Sequence, residues 1–389
     1  QGLAGPQTEI LQASSGSVSL PTTCSAVEFW GEDVAGNQSA HKKIADSVPP
    51  VFTSLPSDIT LTACAKDSAL TLVLPTSTDD CSPPPTVTGS VISSNGANDV
   101  PPLPINGRNV TLSPGTHTIR WTTTDASGLA TTATRSVVVR PGFMASDALA
   151  IADRAHVTSS PSALAMIANR GTRATTLGVE SRVESIFSVG SVTLADRAFV
   201  AGLVRTAGSV TPGNGVVIGG GVQAHSSVVL PAPPSLNGIV FPAHNLGDVD
   251  LEPSVVRTIL AAAYNTVRVA SRGTLHLSSG IYFFNSFDLE PQGTVTLDQS
   301  GGPITIYINN WLAYRAPFVD PTGSYAGFFV GYFGTGLTLE APFDGILVAP
   351  NASITLGVGS STTYTGNFFA RDLTLTPDTI VVCKNNLTQ

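Results

Sequence analysis

The chain is poor in charge, and above all in lysine. Only 12% of its 389 residues are charged, and 19 Lys and Arg stand against 27 Asp and Glu, a formal net charge of −8. Because the basic residues form no cluster, we expect no nucleic-acid partner. Hydrophobic residues still make up 42% of the chain, which is enough to bury a core, so we do not expect a disordered protein.

The sequence also lacks long apolar runs and the common catalytic motifs. No stretch of about 18 apolar residues occurs, so we expect no membrane span. No CxxC pair occurs either, which argues against a zinc site. GxSxG, HExxH and a phosphate-binding loop are absent. We therefore expect no catalytic residue, no metal and no cofactor.

Cysteine is scarce, with Cys24, Cys64, Cys81 and Cys383 only. Cys64 and Cys81 lie near each other in one β-rich segment, so we predict a disulfide between them, with free thiols as the alternative. A disulfide would indicate an exported protein. Cys24 and Cys383 remain as candidates for a bond between subunits. Alternatively, Cys24 pairs with a residue outside this sequence.

Glycine and proline are abundant, at 37 and 28 residues, among many Thr, Ser and Val. This composition predicts an all-β protein with short strands and tight turns. A motif occurs twice, as FWGEDVAGNQS at 29–39 and as WTTTDASGLAT at 121–131. The offset between the two copies is close to the roughly 100-residue length of an immunoglobulin-like sandwich. We therefore predict repeated immunoglobulin-like modules.

Residues 49–141 contain the complete second copy. Residues 117–124 alternate like a half-buried strand, with Trp121 as the expected core anchor. The segment resembles the hyalin-repeat (HYR) family in PSDIT at 56–60, PTSTDDC at 75–81, Pro114-Gly115 and Trp121-x3-Asp125-x2-Gly128. Leu129 departs from the family's usual Asn. The resemblance implies an extracellular spacer or adhesion module without catalysis.

Residues 1–48 correspond only to the end of such a module. Three explanations stay open. The chain is part of a longer protein, residues 1–20 supply a shortened set of strands, or another chain donates the missing strands.

Residues 142–389 show a different sequence pattern. IADRAHV at 151–157, LGVESRV at 177–183 and LADRAFV at 194–200 share one pattern among short Val/Leu/Ile strands. Such repetition predicts a parallel β-helix, which we expect to be right-handed. A helix over 146–157 is the alternative, and 254–263 also has helical character.

Several motifs of this region resemble uncharacterised β-helical domains of bacterial surface proteins. They are LHLSSGIYFF at 275–284, GPITIYI at 302–308, APFDGILVAPNA at 341–352 and YTGNFFAR at 364–371. The resemblance implies a fold and an exported surface location but no activity. The late portion also resembles β-solenoid ice-binding proteins. We set that resemblance aside because the sequence shows no regular Thr-x-Thr ladder.

Two groups of residues are candidates for binding. Asp248, Asp250 and Glu252 would lie on one face of an extended strand and suit Ca²⁺, although a solvated turn is the simpler interpretation. Aromatic residues crowd into an apparent insertion near 311–333. They predict a surface for a ligand or partner, or else a cap over the β-helix core, and the candidates are Trp311, Tyr314, Phe318, Tyr325 and Tyr332.

Taken together, the sequence predicts a non-enzymatic, extracellular structural or adhesive protein. We expect partial and complete immunoglobulin-like modules over 1–48 and 49–141, then a β-helix over 142–389. The expected partner is the chain itself, in a head-to-tail filament or coat. The main alternative is a β-helix that binds or cleaves carbohydrate, and a passive stalk is the third possibility.

Overall fold

The computed structural model describes residues 27–29, 35–39, 42–44, 48–79, 84–96, 99–160, 162–243, 246–321, 327–358 and 361–385. These residues form strands, with no α-helix among them, and none of their segments is a helix that could cross a membrane. The chain divides into two compact units. One comprises 1–57, 73–90 and 120–134, and the other 58–72, 91–119 and 135–389.

Eleven described strands precede the β-helix. They are β1 (Val27–Phe29), β2 (Lys42–Ile44), β3 (Val51–Ser54), β4 (Ile59–Ala63), β5 (Ser68–Thr71), β6 (Thr76–Thr78), β7 (Thr86–Ser94), β8 (Leu103–Pro104), β9 (Asn109–Leu112), β10 (Gly115–Thr124) and β11 (Ala130–Pro141). A five-stranded sheet has the order β4-β11-β10-β7-β8, and β1–β2, β3–β6 and β5–β9 form two-stranded ladders. The predicted module boundaries and the hyalin-repeat identity stay predictions.

The repeated motif has a structural cause. Trp121 is 2% exposed, which confirms it as a core residue. Asp125 accepts hydrogen bonds from the backbone N–H groups of Ser127 and Leu129 and so shapes the turn. Gly36 and Gly128, which the motif aligns, both have positive φ, at 80° and 92°. The pattern therefore encodes a turn that needs an Asp and a left-handed glycine.

The remaining strands form a parallel β-solenoid of about 11 turns, so the predicted β-helix is confirmed. Its handedness stays a prediction. The strands are β12 (Phe143–Ile151), β13 (His156–Ser160), β14 (Ala163–Leu164), β15 (Ile167–Asn169), β16 (Thr175–Leu177), β17 (Arg182–Val183), β18 (Ile186–Ser188), β19 (Val192–Leu194), β20 (Phe199–Val200), β21 (Val204–Thr206), β22 (Val210–Pro212), β23 (Val217–Ile218), β24 (Val222–Gln223), β25 (Val249–Leu251), β26 (Val256–Ile259), β27 (Ala263–Val269), β28 (Thr274–Ser278), β29 (Gly280–Leu289), β30 (Thr294–Asp298), β31 (Ile304–Tyr314), β32 (Phe318–Val319), β33 (Phe328–Tyr332), β34 (Gly336–Leu339), β35 (Asp344–Leu356), β36 (Thr363–Leu375) and β37 (Ile380–Val382). The helices considered over 146–157 and 254–263 are wrong, because β12 and β26–β27 occupy those residues.

Each turn, or rung, contributes to three parallel sheets. Sheet A contains 143–145, β15, β18, β21, β24 and the first parts of β27, β29, β31, β35 and β36, together with β33. Sheet B contains 148–151, β16, β19, β22, β25, β34 and the last parts of β27, β29, β31, β35 and β36. Sheet C consists of two separate ladders, one of β26, β28, β30 and β32 and one of residues 363–365, β37, β13, β17, β20 and β23.

The predicted seven-residue repeats mark one corner of the coil. Their first residues stack directly, Ile151 on Leu177 and Leu177 on Leu194. Their fourth residues, Arg154, Glu180 and Arg197, all have φ between 54° and 59°. The shared pattern therefore encodes an inward apolar position followed by a tight turn.

The rungs are not stacked in chain order. β12 pairs with β15 and β16 on one side and with the last long strand, β36, on the other. Ala150 thus lies between Thr176, in the next rung of the chain, and Thr374, near the end of the chain. The solenoid is therefore one stack built from two blocks, 249–382 and 163–224, with the rung of 143–158 between them.

Candidate functional site: the outward face of sheet B

Sheet A is covered by its own chain. Residues 226–243 follow the last strand of one block and lead towards β25 at the start of the other. On the way, Phe241 packs edge-to-face on Phe283 and Phe333, with ring centroids 5.6 and 5.2 Å apart. Arg170 donates from Nε to the Leu230 carbonyl at 3.3 Å. Outward side chains of sheet A such as Met144 and Phe369 are accordingly buried.

Sheet B instead presents a column of threonines to the outside. In register, Thr338 pairs with Thr355, and Thr355 pairs with Thr374. The next position, paired with Thr374, is Ala150. Beyond Ala150 the column continues through Thr176, Thr193 and Thr211. Thr355 and Thr374 are half-buried and the other four are exposed. Because neighbouring strands lie about 4.8 Å apart, a methyl and a hydroxyl recur at that spacing. We call these six residues the threonine column.

Sequence reasoning missed this column although a signal was present. The pairs Thr176-Leu177 and Thr193-Leu194 place a Thr directly before the apolar start of two recognised repeats. Within a block, successive members are separated in the chain by one whole rung, and the step through Ala150 joins the blocks. A search for Thr-x-Thr within one strand could not find a column with one Thr per rung.

The other half of the same face is charged. Arg268 donates to Asp250 at 2.9 Å and to Glu290 at 2.6 Å, and Arg315 donates to Asp288. The bond from Arg268 lowers the pKa of the Glu290 carboxyl. Asp248 accepts from the Thr266 backbone N–H at 3.0 Å. These acids are therefore engaged by protein groups, and the described residues contain no cluster suited to a metal ion.

The predicted aromatic surface is wrong for three of its five residues. Tyr314 and Tyr332 are 1% exposed and Phe318 is 7% exposed, so all three belong to the solenoid core. They occupy inward positions of strands or their ends, and burial raises the pKa of the Tyr314 hydroxyl. The Tyr314 hydroxyl donates to the Pro342 carbonyl at 2.6 Å. Tyr325 lies outside the described residues.

Trp311 is the member that does reach the surface, with 47% exposure. It lies in sheet B beside Ser286, at an outward position. The two preceding residues, Asn309 and Asn310, both donate to the Asn285 side-chain oxygen, at 3.2 and 2.7 Å. Trp311 therefore offers a flat ring next to a fixed row of amides.

The cysteines are paired differently from the prediction. Cys64 and Cys383 form a disulfide, with Cα atoms 5.8 Å apart at a sequence separation of 319. The predicted Cys64–Cys81 bond is therefore wrong, and Cys383 is not available for a bond between subunits. The physical reason is the rung order, which brings β36 and β37 beside β12 and β13, while Cys64 lies next to the same rungs and accepts from the Met166 backbone N–H. Cys24 and Cys81 lie outside the described residues.

A second cluster combines Ser94, Asp99 and His117, which sequence reasoning did not single out. Nδ1 of His117 lies 2.8 Å from Ser94 Oγ and 3.2 Å from Asp99 Oδ2. Its Nε2 donates to the Ser113 carbonyl at 2.9 Å. Burial lowers the pKa of His117, against the attraction of Asp99. In a catalytic triad the hydroxyl and the carboxylate contact opposite ring nitrogens, so this arrangement is a buried network that joins β7 and β10 to the segment that carries Asp99.

Comparison with known proteins adds no identity. No protein-family model matches the chain, and no curated protein matches it. The threonine column and Trp311 therefore carry the functional interpretation.

Proposed function

We propose that this protein is a non-enzymatic, exported structural and adhesive protein, a subunit of a surface coat or filament. The observation that supports it most is the threonine column, a rigid row of six threonines that is interrupted once, by Ala150. A row with a fixed spacing can contact a surface that repeats at a matching spacing at many points at once. Many weak contacts held in one rigid body give strong adhesion without a deep pocket.

Two further features support this proposal. The Cys64–Cys383 disulfide is typical of proteins from oxidising compartments, which favours export. The strand arrangement before the solenoid, with buried Trp121 and the repeated Asp-Gly turn, supports immunoglobulin-like modules of the hyalin-repeat kind. Such modules would act as spacers.

The ligands that suit the column are ordered surfaces, namely crystalline polysaccharide and ice. The test is a double variant, Thr193→Lys with Thr355→Lys, which places one bulky cation in each block. Thr363→Lys is the matched control, because Thr363 is also exposed but belongs to sheet C. Adsorption to microcrystalline cellulose, to chitin and to growing ice is measured for each protein.

We expect the double variant to lose at least tenfold in adsorption to one of these surfaces, while the control adsorbs like the wild type. Ice adsorption would be accompanied by slower ice recrystallisation. Equal adsorption of the double variant and the control would contradict the proposal.

The second candidate function is binding or cleavage of single carbohydrate chains, and exposed Trp311 favours it. Aromatic rings stack on the apolar faces of sugars, and amides bind hydroxyl groups. Trp311→Ala should abolish quenching of tryptophan fluorescence by soluble glycans. The control is Ile281→Ala, since Ile281 is similarly exposed at 52%. Release of shorter chains from the glycan would identify cleavage.

A further inference from the structure

One end of the solenoid has an open apolar rung. Val222 pairs in register with Val204, yet Val204 is fully buried and Val222 is 48% exposed. In the same rung, Ile218 continues the column of Val183 and Val200, which are fully buried, yet Ile218 itself is only half-buried. The inward column that fills the core thus continues to the last rung, where no further described rung covers it.

This end also lacks the charged residues that usually protect a sheet edge. Natural proteins protect exposed edge strands with charged residues, above all lysine. Residues 206–247 contain no Asp, Glu, Lys or Arg. Terminal repeats of solenoid proteins normally carry a polar outer face to remain soluble. The edge strands of this uncharged, open rung are therefore suited to pairing with the strands of another chain.

The opposite end of the stack is formed by β25 and β26. These strands pair in register with β27 and β28. Beside them, Val255, Val256 and Leu260 are 43%, 64% and 74% exposed. Both ends of the stack therefore combine strand edges with exposed aliphatic side chains, and the second end also carries Asp250 in β25 and Arg257 in β26.

The two ends match each other. All rungs of the stack run in the same direction, so the edge at one end can continue the edge at the other by translation along the axis. Sheet B would join β22 to β25, and sheet C would join β23 to β26. Another rung of the same solenoid is the surface that fits the edges of sheets B and C together, while in sheet A residues 246 and 247 already pair with Ala263 and Asn265.

We propose that copies of this chain stack end to end, with the β22–β24 rung of one copy against the β25–β26 rung of the next. The contact is heterologous and does not close, so it generates a linear filament. This inference rests on the proposed structural role, and it specifies the surfaces through which successive subunits contact each other. With about 11 turns per copy, the axial repeat is roughly 50 Å.

The test uses one lysine at each end. Val222→Lys blocks the first end and Val256→Lys blocks the second. Val240→Lys is the control. Val240 is 80% exposed, but it lies in the segment of residues 226–243 that covers sheet A and not at either end. Thermal unfolding of each variant first establishes that it folds. Mass is then measured by light scattering over a wide range of protein concentration, and filaments are sought by electron microscopy without reduction.

We expect the wild type and the control to form filaments with the stated repeat, and each end variant alone to remain monomeric. An equimolar mixture of Val222→Lys and Val256→Lys should form dimers and nothing longer, because one intact end of each kind remains. Monomeric wild type at every concentration would overturn the inference, as would filaments of either folded end variant. If the end variants are monomeric and still adsorb through the threonine column, filament formation and adhesion are separate properties, and the adhesive role does not depend on the filament.

Discussion

The two blocks of the solenoid differ in coil size and in what fills it. In the 163–224 block the rungs are short, as the in-register positions Thr176, Thr193 and Thr211 show. In the middle of the 249–382 block they are longer, as the in-register positions Val267, Phe287 and Leu312 show, whereas the last rungs of that block, at Leu339, Leu356 and Leu375, are short again. The small coils are filled by Val, Leu, Ile and Ala. The large coils need aromatic rings, namely those of Phe287, Tyr314 and Phe328 among others.

This difference has a simple physical cause. A longer coil has a longer perimeter and encloses a larger cross-section, and protein interiors are packed without voids. Aliphatic side chains reach across a small coil, whereas only aromatic ones fill a large one. The aromatic-rich stretch of the sequence therefore reflects the size of the coil that its side chains fill.

The largest expected effect is a cavity in the large coils. Phe287 is fully buried and packs on Phe284 and Phe318, with ring centroids 5.2 and 6.0 Å apart. Phe287→Ala should lower the free energy of unfolding by about 3–5 kcal/mol, measured by chemical denaturation. A loss below about 1 kcal/mol would show that the ring does not fill the coil.

The disulfide at the junction of the blocks comes next. Met166 N–H donates to the Cys64 carbonyl and Cys383 N–H to the Thr158 carbonyl, so the bond links both blocks to the first rung. Replacing Cys64 and Cys383 together by Ser should cost about 2–4 kcal/mol, since a long loop is no longer closed in the unfolded chain. Peptide mapping without reduction should recover the 64–383 pair, and a 64–81 pair would contradict this assignment.

A smaller effect is expected from overfilling a small coil. Leu194 is 1% exposed in the 163–224 block. Leu194→Phe should destabilise the protein by about 1–3 kcal/mol, because the short perimeter leaves no room for a ring. Leu312→Phe in the large coils is the matched control and should cost less. Equal costs would break the comparison between the blocks.

The smallest effect concerns pH. His156 lies in register between Arg182 and Ile380, at the junction of the blocks. Burial and then the charge of Arg182 lower its pKa, against Asp378. The folded state therefore prefers the neutral ring, so stability is complete above the unfolded pKa of about 6.5 and declines as pH falls below it. Because burial also lowers the pKa of His117, the relevant measure is the difference between wild type and His156→Gln in thermal midpoint from pH 7.5 to 5. The wild type should lose more.

The sequence allowed the all-β class, the solenoid, the position of Trp121 and the stacking of three repeats to be predicted. Each follows from local periodicity, because inward residues must be apolar and tight turns need particular residues. The rung order, the disulfide and the threonine column could not be predicted. All three depend on contacts between residues that are distant in the chain, and no local pattern records that β36 returns to β12.

The rung order is the central claim, since both the continuous threonine column and the two open ends follow from it. The direct test replaces Ala150 and Thr374 by Cys in one chain. In-register neighbours on a parallel sheet lie within the Cα distance that a disulfide requires. Thr176→Cys with Thr193→Cys is the control for neighbouring rungs. We predict that mild oxidation links 150 to 374 as completely as 176 to 193. A control that links while 150 and 374 stay apart would contradict the account.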